Sequence, residues 1–313
     1  MGKRTSSYWV LLLGVLCASS GAIFARLAQG EGTASVTVAA YRLSFSVIIL
    51  APILFIRYRG YFSQISTADL GKCLAGGLFL AIHFGTWISS LEYTSIASSV
   101  VIVTTSPIWV ALYTILFQKN RPGRMLYLGL LIALLGGAVV GLSEGCRLEG
   151  GIPVCGGNTQ VRNAMLGNIL ALIGAWMAAA YLLIGKDVRQ RVDLPPYIFL
   201  VYGCAALLLV LFQLVTGGGM HIPSLAAFMW LVCLAIFPQL LGHTSLNWAL
   251  KKLSATYVSI ALLGEPIGST LLGYLLFQEV PSWIKMLGAV LILTGILLVS
   301  LEEKEKLPQE AVS

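Results

Sequence analysis

"LKKLSATYVSIALLGEPIGSTL", residues Leu250 to Leu271, has an earlier counterpart in "LEYTSIASSVVIVTTSPIWVAL", residues Leu91 to Leu112. When Pro266 is set over Pro107, one constant offset pairs residues well beyond these two stretches. It pairs Leu250 with Leu91, Ser254 with Ser95, Pro281 with Pro122, Gly288 with Gly129 and Gly295 with Gly136. A slightly different offset pairs Gly167 with Gly14 and Gly174 with Gly21. Self-similarity at a fixed spacing indicates an internal repeat, so we interpret the chain as two copies of one unit.

Each copy consists almost entirely of apolar segments. Hydrophobic residues make up 58% of the 313 residues and charged residues only 11%, with a mean hydropathy of +0.87. This composition is typical of integral membrane proteins. A helix needs roughly 20 mostly apolar residues to cross a bilayer core about 30 Å thick. Ten stretches meet this requirement: Tyr8–Ala28, Ala34–Ile56, Leu70–Leu91, Ser95–Phe117, Met125–Leu142, Asn163–Ile184, Tyr197–Val215, Ala226–Trp248, Ser254–Phe277 and Ser282–Leu301.

The length of these runs favours helices, because the strands of a membrane barrel would alternate over about 10 residues. The first stretch continues to Ala28 and nine more follow, so we expect an uncleaved helix there and not a signal peptide. Five helices per copy is an odd number, which means that the second copy enters the membrane from the opposite side. Charges agree with this: "QKNRPG" at 118–123 is basic, whereas its equivalent "FQEVPS" at 277–282 has no basic residue.

Most of the 20 Lys and Arg residues lie in alternate loops, on the side that the positive-inside rule assigns to the cytoplasm. The net charge of +7 reflects this bias, so the expected partner is the lipid bilayer and not nucleic acid. We therefore predict an all-α polytopic membrane protein with ten transmembrane helices in two inverted five-helix repeats and both termini cytoplasmic. Residues 1–142 form the first repeat, 143–162 an external loop, 163–301 the second repeat and 302–313 a cytoplasmic tail.

Inverted repeats are frequent in secondary transporters, in which a site near the membrane midplane lies between the two halves. Pro107 and Pro266 interrupt helices four and nine at corresponding positions, and such pairs are the best sequence indication of the site. Each proline frees the carbonyl oxygen four residues earlier, that of Val103 or Leu262, and bends its helix. We predict that both prolines act as hinges; the alternative is that the bends serve packing alone.

The paired "TSP" and "GEP" motifs, the later "FQEVPS" and the aligned glycines that follow resemble the EamA-like transporters of the drug/metabolite transporter superfamily. The resemblance covers nearly the whole chain. It implies a ten-helix exporter with a central cavity lined by helices one, three, four, six, eight and nine. Members export amino acids and other small metabolites or drugs, and relatives in the superfamily carry nucleotide sugars and phosphorylated sugars. We predict an exporter of small organic metabolites, most of all amino acids; the alternatives are a carrier of phosphorylated sugars, nucleotide sugars or drugs, or a channel.

Two charged residues fall inside the apolar stretches, where an ionisable group is costly and therefore a candidate for function. Glu265 precedes Pro266, whereas the first copy builds the same bend with the uncharged Ser106, so the bend alone does not require a carboxylate. We predict that Glu265 has a gating or coupling role. Arg42 lies in helix two, is the most plausible opposite charge of Glu265, and shares its predicted gating or coupling role. The alternatives for Arg42 are that it attracts an anionic substrate, or that it is structural and pairs with backbone carbonyls or extends to the membrane surface.

Further candidates for the substrate cavity carry polar or aromatic groups. His83 in helix three and His243 in helix eight fall one residue from equivalence in the repeat, and each is either a cavity group or a buried histidine with its bonds satisfied. Three tryptophans lie deep in helices three, four and six, where they line the cavity or pack against neighbours. The full set of cavity candidates is His83, Trp87, Thr105, Trp109, Trp176, His243 and Asn247.

The loop between the copies contains Cys146 and Cys155, for which we predict a disulfide if the outer compartment is oxidising. Neither an H-E-x-x-H motif nor a Gly-rich phosphate loop occurs, and no set of ligands has metal-binding spacing, so we expect no enzymatic activity, no metal and no cofactor. We expect a monomer in the cell inner membrane whose partner is a small-molecule substrate.

Overall fold

The computed structural model describes residues 2–118, 124–143, 146–149, 152–155, 163–262 and 264–306. The first half contains α1 (Gly2–Ser19), α2 (Gly21–Gly30), α3 (Ser35–Arg57), a short 3-10 turn (Phe62–Gln64), α4 (Thr67–Ser90), α5 (Ile96–Val103), α6 (Ser106–Gln118) and α7 (Arg124–Ser143). The second half contains α8 (Ala164–Val188), α9 (Leu194–Val215), α10 (Leu225–Leu234), a π-helix (Ala235–His243), α11 (Thr244–Leu250), α12 (Ala255–Ala261), α13 (Gly264–Phe277) and α14 (Trp283–Lys306).

The helices occupy all ten of the apolar stretches identified in the sequence. Within the described ranges, seven segments are long and apolar enough to cross a membrane: Trp9–Gly30, Ser35–Arg57, Thr67–Ser90, Ile96–Tyr113, Ala164–Val188, Leu194–Val215 and Leu225–Leu250. The other three stretches correspond to α7, to α12 with α13, and to α14, whose apolar runs are shorter or interrupted. The chain is therefore a helical membrane protein with several spans.

Between the two halves, β1 (Cys146–Glu149) and β2 (Ile152–Cys155) pair as an antiparallel hairpin. Its backbone register places Cys146 directly opposite Cys155. Side chains in this hairpin lie outside the described part of the chain, so the predicted disulfide stays a prediction.

Several helices begin at a polar side chain that accepts a hydrogen bond from the first turn, and this satisfies a backbone N–H that would otherwise lack a partner. Ser66 accepts from the Asp69 N–H at 3.0 Å at the start of α4, and Ser95 accepts from the Ser98 N–H at 3.2 Å at the start of α5. Asn163 does the same for α8. These caps fix where the helices start after each loop.

The fourth and ninth apolar stretches, which the sequence predicts as single bent helices, are each divided into two helices near the aligned prolines. α5 ends at Val103 and α6 begins at Ser106, one residue before Pro107, while α12 ends at Ala261 and α13 begins at Gly264, two residues before Pro266. Thr104 and Thr105 separate α5 from α6, and their hydroxyls donate to carbonyls of the preceding turn at 2.8 and 2.7 Å. The sequence thus located both interruptions, at corresponding places in the two copies.

A close helix contact between α7 and α14 relates the two halves. A Cβ atom added at Gly136 would lie 2.7 Å from the carbonyl oxygen of Gly288, and one at Gly295 would lie 2.6 Å from the Ala133 nitrogen and close to the Gly129 carbonyl. Only glycine permits the two backbones to approach this closely, as is common between membrane helices. Because the later glycine of each helix meets the earlier glycine of the other, these two equivalent helices run antiparallel.

Candidate functional site

A cavity lies where the two divided helices face the interior of the bundle. Its volume is about 40 Å³, which is room for roughly three water molecules. The family resemblance implies a cavity lined by the first, third, fourth, sixth, eighth and ninth apolar stretches, and each of them contributes to the lining. The second stretch also contributes, through Arg42. The polar and aromatic lining residues are Arg42, His83, Trp87, Thr104, Ser106, Tyr181, His243 and Glu265.

Two pairs of lining residues occupy equivalent positions in the two copies. Val103 is the last residue of α5 and Leu262 directly follows the last residue of α12, and both line the cavity. Ser106 is the first residue of α6 and Glu265 the second of α13, and they also line it. The amino end of a helix carries a partial positive charge, so both segments direct that end of their dipoles towards the cavity.

Arg42 is almost fully buried, with 1% of its surface exposed, and it is held by two kinds of contact. Its Nε donates to Oε1 of Gln239 in the π-helix at 2.7 Å, and its guanidinium carbon lies 4.0 Å from the centre of the Phe84 ring. Nη1 has no acceptor among the described residues. The sequence anticipated backbone carbonyls or Glu265 as partners; the observed anchor is a side-chain amide.

Glu265 is also buried and lies in the first turn of α13. It lines the same cavity as Arg42 and is close enough to attract it electrostatically. No ion pair within 4.0 Å joins the two side chains in the described part of the molecule. The structure therefore brings the two predicted charges to one cavity and keeps them apart within it.

Both predicted histidines reach the cavity. His83 Nδ1 lies 2.8 Å from the carbonyl oxygen of Gly174. Since a carbonyl only accepts, Nδ1 carries the proton of this bond and Nε2 of the neutral ring is left as an acceptor. Nδ1 of His243 is buried without a partner among the described residues. The two rings lie 6.3 Å apart, and Phe84 contacts both.

Trp87 is the one deep tryptophan of the predicted three that lies in the cavity lining. Its ring stacks on His83 with 6.0 Å between centres and an angle of 6°, and its Nε1 is buried with no acceptor in the described ranges. Glycines at equivalent positions of the two copies make room for it: a Cβ atom at Gly21 or Gly174 would lie 3.3 or 3.2 Å from Trp87. Both copies thus shape the space that this ring fills.

Four of the seven cavity candidates lie outside the lining: Thr105, Trp109, Trp176 and Asn247. Trp109 and Trp176 face each other edge to face with ring centres 5.2 Å apart, and Trp109 Nε1 donates to the Thr105 hydroxyl at 3.2 Å. Helices four and six therefore direct these side chains at each other. Their predicted role in substrate binding stays a prediction.

Asn247 lies one layer behind the cavity. It is fully buried, and its Nδ2 donates to the hydroxyls of Tyr181 and Tyr202 and, at 2.9 Å, to the carbonyl of His243. Tyr181 in turn lines the cavity. Sequence reasoning missed both Tyr181 and Gln239. Gln239 had a signal, because an amide directly after Pro238 in an apolar stretch is costly unless it has a partner.

Ionic contacts hold the bundle at two ends, and along α4 the cavity residues lie between them. At one end Arg26 pairs with Glu279 at 3.2 Å and donates to the Thr94 carbonyl at 2.9 Å, while the other Glu279 oxygen accepts from the Ile96 N–H at 3.0 Å. These contacts join α2, the start of α5 and the loop before α14.

At the other end Arg191, in the turn between α8 and α9, binds Asp69 at 2.7 Å and Asp187 at 2.9 Å. The hydrogen bonds that Arg191 donates to Asp187 and, second, to Asp69 raise the pKa of Arg191 above its usual value. Lys72 adds a contact to Asp187 at 2.6 Å. These contacts join the first turn of α4 to the last turn of α8. Among the described residues, no group of three His, Cys, Asp or Glu side chains is placed to hold a metal ion.

Known proteins have similar sequences, and two of the three that follow are named as uncharacterised transporters. The chain is 23% identical to the uncharacterised transporter YdfC of Bacillus subtilis strain 168 over 70% of its length and 67% of the relative's. It is 23% identical to the inner membrane transporter YicL of Salmonella typhimurium over 95% of each chain, and 22% identical to the WAT1-related protein At4g01430 of Arabidopsis thaliana over 92% and 85%.

One solved crystal structure superimposes with a TM-score of 0.65 over 95% of this chain and 98% of its own, at 18% identity. This likeness shows that the fold is shared. A sequence profile of the EamA-like transporter family matches twice, over residues 5–142 and 165–301. Since these two matches together span most of the chain, the chain belongs to the EamA-like transporter family.

Proposed function

We propose that the protein is a secondary transporter that exports small organic metabolites, foremost amino acids, across the cell inner membrane. In this proposal ten spans form two inverted five-helix repeats with both termini in the cytoplasm, and the repeats rock about the central cavity. The observation that carries the proposal is the cavity itself: it is lined at equivalent positions by both copies, at the two interruptions of helices four and nine. That is the arrangement expected of alternating access between inverted repeats.

The size of the cavity supports a moving carrier over a fixed pore. About 40 Å³ accommodates roughly three water molecules, whereas the smallest amino acid has five non-hydrogen atoms. A substrate therefore needs the helices around the site to separate. The contacts of Arg26 with Glu279 and of Arg191 with Asp69 and Asp187 are candidates for the closures that open alternately.

The charges in the lining favour amino acids over phosphorylated solutes. One positive and one negative side chain, Arg42 and Glu265, face the same space, and this suits a solute that carries both charges. A phosphorylated sugar or nucleotide sugar calls for several cations, and Arg42 is the one Lys or Arg among the described lining residues.

Reconstitution tests this function directly. Purified protein in liposomes should show saturable counterflow of at least one amino acid, and inside-out vesicles should accumulate it if the cellular direction is export. Flux that rises linearly with concentration without saturating would indicate a channel and refute the carrier.

The coupling role of Glu265 is tested in the same vesicles. Glu265→Gln removes the charge at nearly constant volume, and we expect at least a tenfold lower transport rate together with loss of any dependence on a proton gradient. Glu31→Gln is the control, since Glu31 is exposed and accepts a hydrogen bond from Ser224 far from the cavity. A Glu265→Gln variant with unchanged rate and proton dependence would show that Pro266, and not the carboxylate, is the functional part of the motif.

A further inference from the structure

Two neighbouring residues of the cavity lining each carry an unsatisfied donor. Nη1 of Arg42 and Nε1 of Trp87 are both buried without an acceptor among the described residues, and the guanidinium carbon lies 5.8 Å from the centre of the Trp87 ring. Buried N–H groups nearly always find a partner, because leaving one unpaired costs as much as losing its hydrogen bond. A pair of this kind inside a cavity therefore indicates an acceptor that enters from outside the chain.

The arrangement of Arg42 shows which edge is offered. Gln239 occupies Nε at 2.7 Å, and the planar group lies on the face of Phe84 at 4.0 Å. These contacts fix the orientation of the guanidinium, and Nη1 is left without an acceptor in the described part of the chain. An arginine used only for packing would have this nitrogen satisfied as well. Here Nε and the flat face of the group are held, whereas Nη1 is buried without a partner among the described residues.

The acceptor that fits is a carboxylate. A carboxylate takes several donors at once and pairs with the parallel N–H groups of arginine. Its charge would also compensate Arg42, which forms no ion pair in the described ranges. A neutral amide or hydroxyl accepts more weakly and brings no negative charge of its own to the arginine.

We propose that Arg42 and Trp87 form the subsite that binds the carboxylate of the transported solute. The inference rests on the proposed carrier function and deepens it, since it makes a free carboxylate a requirement for recognition. Glu265 keeps its separate role: it is the charge that faces Arg42 when no solute carboxylate is present.

The first test uses the native protein and changes only the ligand. L-leucine, L-phenylalanine, L-threonine and L-lysine are each compared with their amide and with the amine left by removal of the carboxyl group, by competition against counterflow in liposomes. We expect each amide and amine to compete at least about tenfold less well than its amino acid, the size expected for losing hydrogen bonds to a charged group. Amides or amines that compete equally well would overturn the proposal. The proposal would also be overturned if none of the four amino acids competed. If the protein then still showed counterflow of another solute, the proposed carrier function would stand although the carboxylate subsite would not.

The second test removes one donor. Trp87→Phe keeps an aromatic ring beside His83 and Arg42 but deletes Nε1–H, and Trp230→Phe is the matched control because Trp230 stacks on Phe24 outside the lining. We expect Trp87→Phe to weaken competition by the four amino acids about tenfold and to leave the amides and amines unchanged. The control should alter neither. An equal loss for acids and amides would mean that Trp87 acts by shape alone and would refute its role as a carboxylate donor.

Discussion

Alanine at Gly136 is expected to push α7 and α14 apart. The new Cβ would lie 2.7 Å from the Gly288 carbonyl oxygen and 2.8 Å from the Ile292 nitrogen, whereas ordinary contacts begin at 3.4 Å. Both neighbours are backbone atoms, so no side chain can rotate away and the helices must separate by several tenths of an ångström. Overpacking of this kind costs about 1–3 kcal/mol.

The adjacent residue provides the control. A Cβ atom at Gly137 would meet nothing within 4 Å, so Gly137→Ala changes helix propensity without changing the contact. Its expected effect on stability runs from zero to a gain of about 1 kcal/mol. Gly295→Ala is the counterpart in the second copy and should destabilise as Gly136→Ala does, because its Cβ would lie 2.6 Å from the Ala133 nitrogen.

The free energy of unfolding of the three variants is measured in one detergent, by denaturant titration followed through tryptophan fluorescence. Gly136→Ala and Gly295→Ala should each fall at least about 1 kcal/mol below Gly137→Ala. Equal stability of Gly136→Ala and Gly137→Ala would refute the close approach of the two helices and, with it, the crossed pairing of equivalent glycines.

Three further predictions concern the ends of the molecule. A double-mutant cycle of Arg26→Gln and Glu279→Gln, measured on the free energy of unfolding, should give a coupling energy of about 0.2–1 kcal/mol, because the two side chains are 26% and 25% exposed. A coupling energy near zero would mean that this ion pair does not help to close its end of the bundle. Cys146 and Cys155 lie opposite each other in the hairpin. When the hairpin faces an oxidising compartment, non-reducing peptide mapping should recover one disulfide-linked fragment, and two free thiols would contradict this. Single cysteines introduced near either terminus should react with an impermeant thiol reagent only from the cytoplasmic side, and labelling of one terminus from outside would refute an even number of spans.

Hydropathy and the repeat were enough to place every helical stretch and both interruptions. Apolar length decides whether a segment is helical in a membrane, and Pro107 and Pro266 mark where the helices divide. The alignment also paired Gly21 with Gly174, but that both approach Trp87 was not predicted. The helical stretches and their interruptions follow from local sequence, whereas that contact depends on how the helices pack.

The rotation of each helix about its axis could not be predicted. Helices that are apolar on all sides carry no stripe that shows which face points inward. For this reason the sequence grouped Trp109 and Trp176 with Trp87, although the first two face each other. The π-helix was likewise unpredictable, and with it the contact of Gln239 with Arg42, two residues far apart in the chain.

The crossed contact between α7 and α14 has the property of an isologous dimer interface, in which one surface is complementary to itself. Gly136 contacts Gly288 and Gly295 contacts Gly129, so the two helices use equivalent residues to contact each other. A single five-helix chain with this surface could pair with an upside-down copy of itself without a second gene. Gene duplication and fusion would then have turned an encounter between two molecules into a contact within one, and each copy became free to acquire its own charges, such as Glu265 where the other retains Ser106.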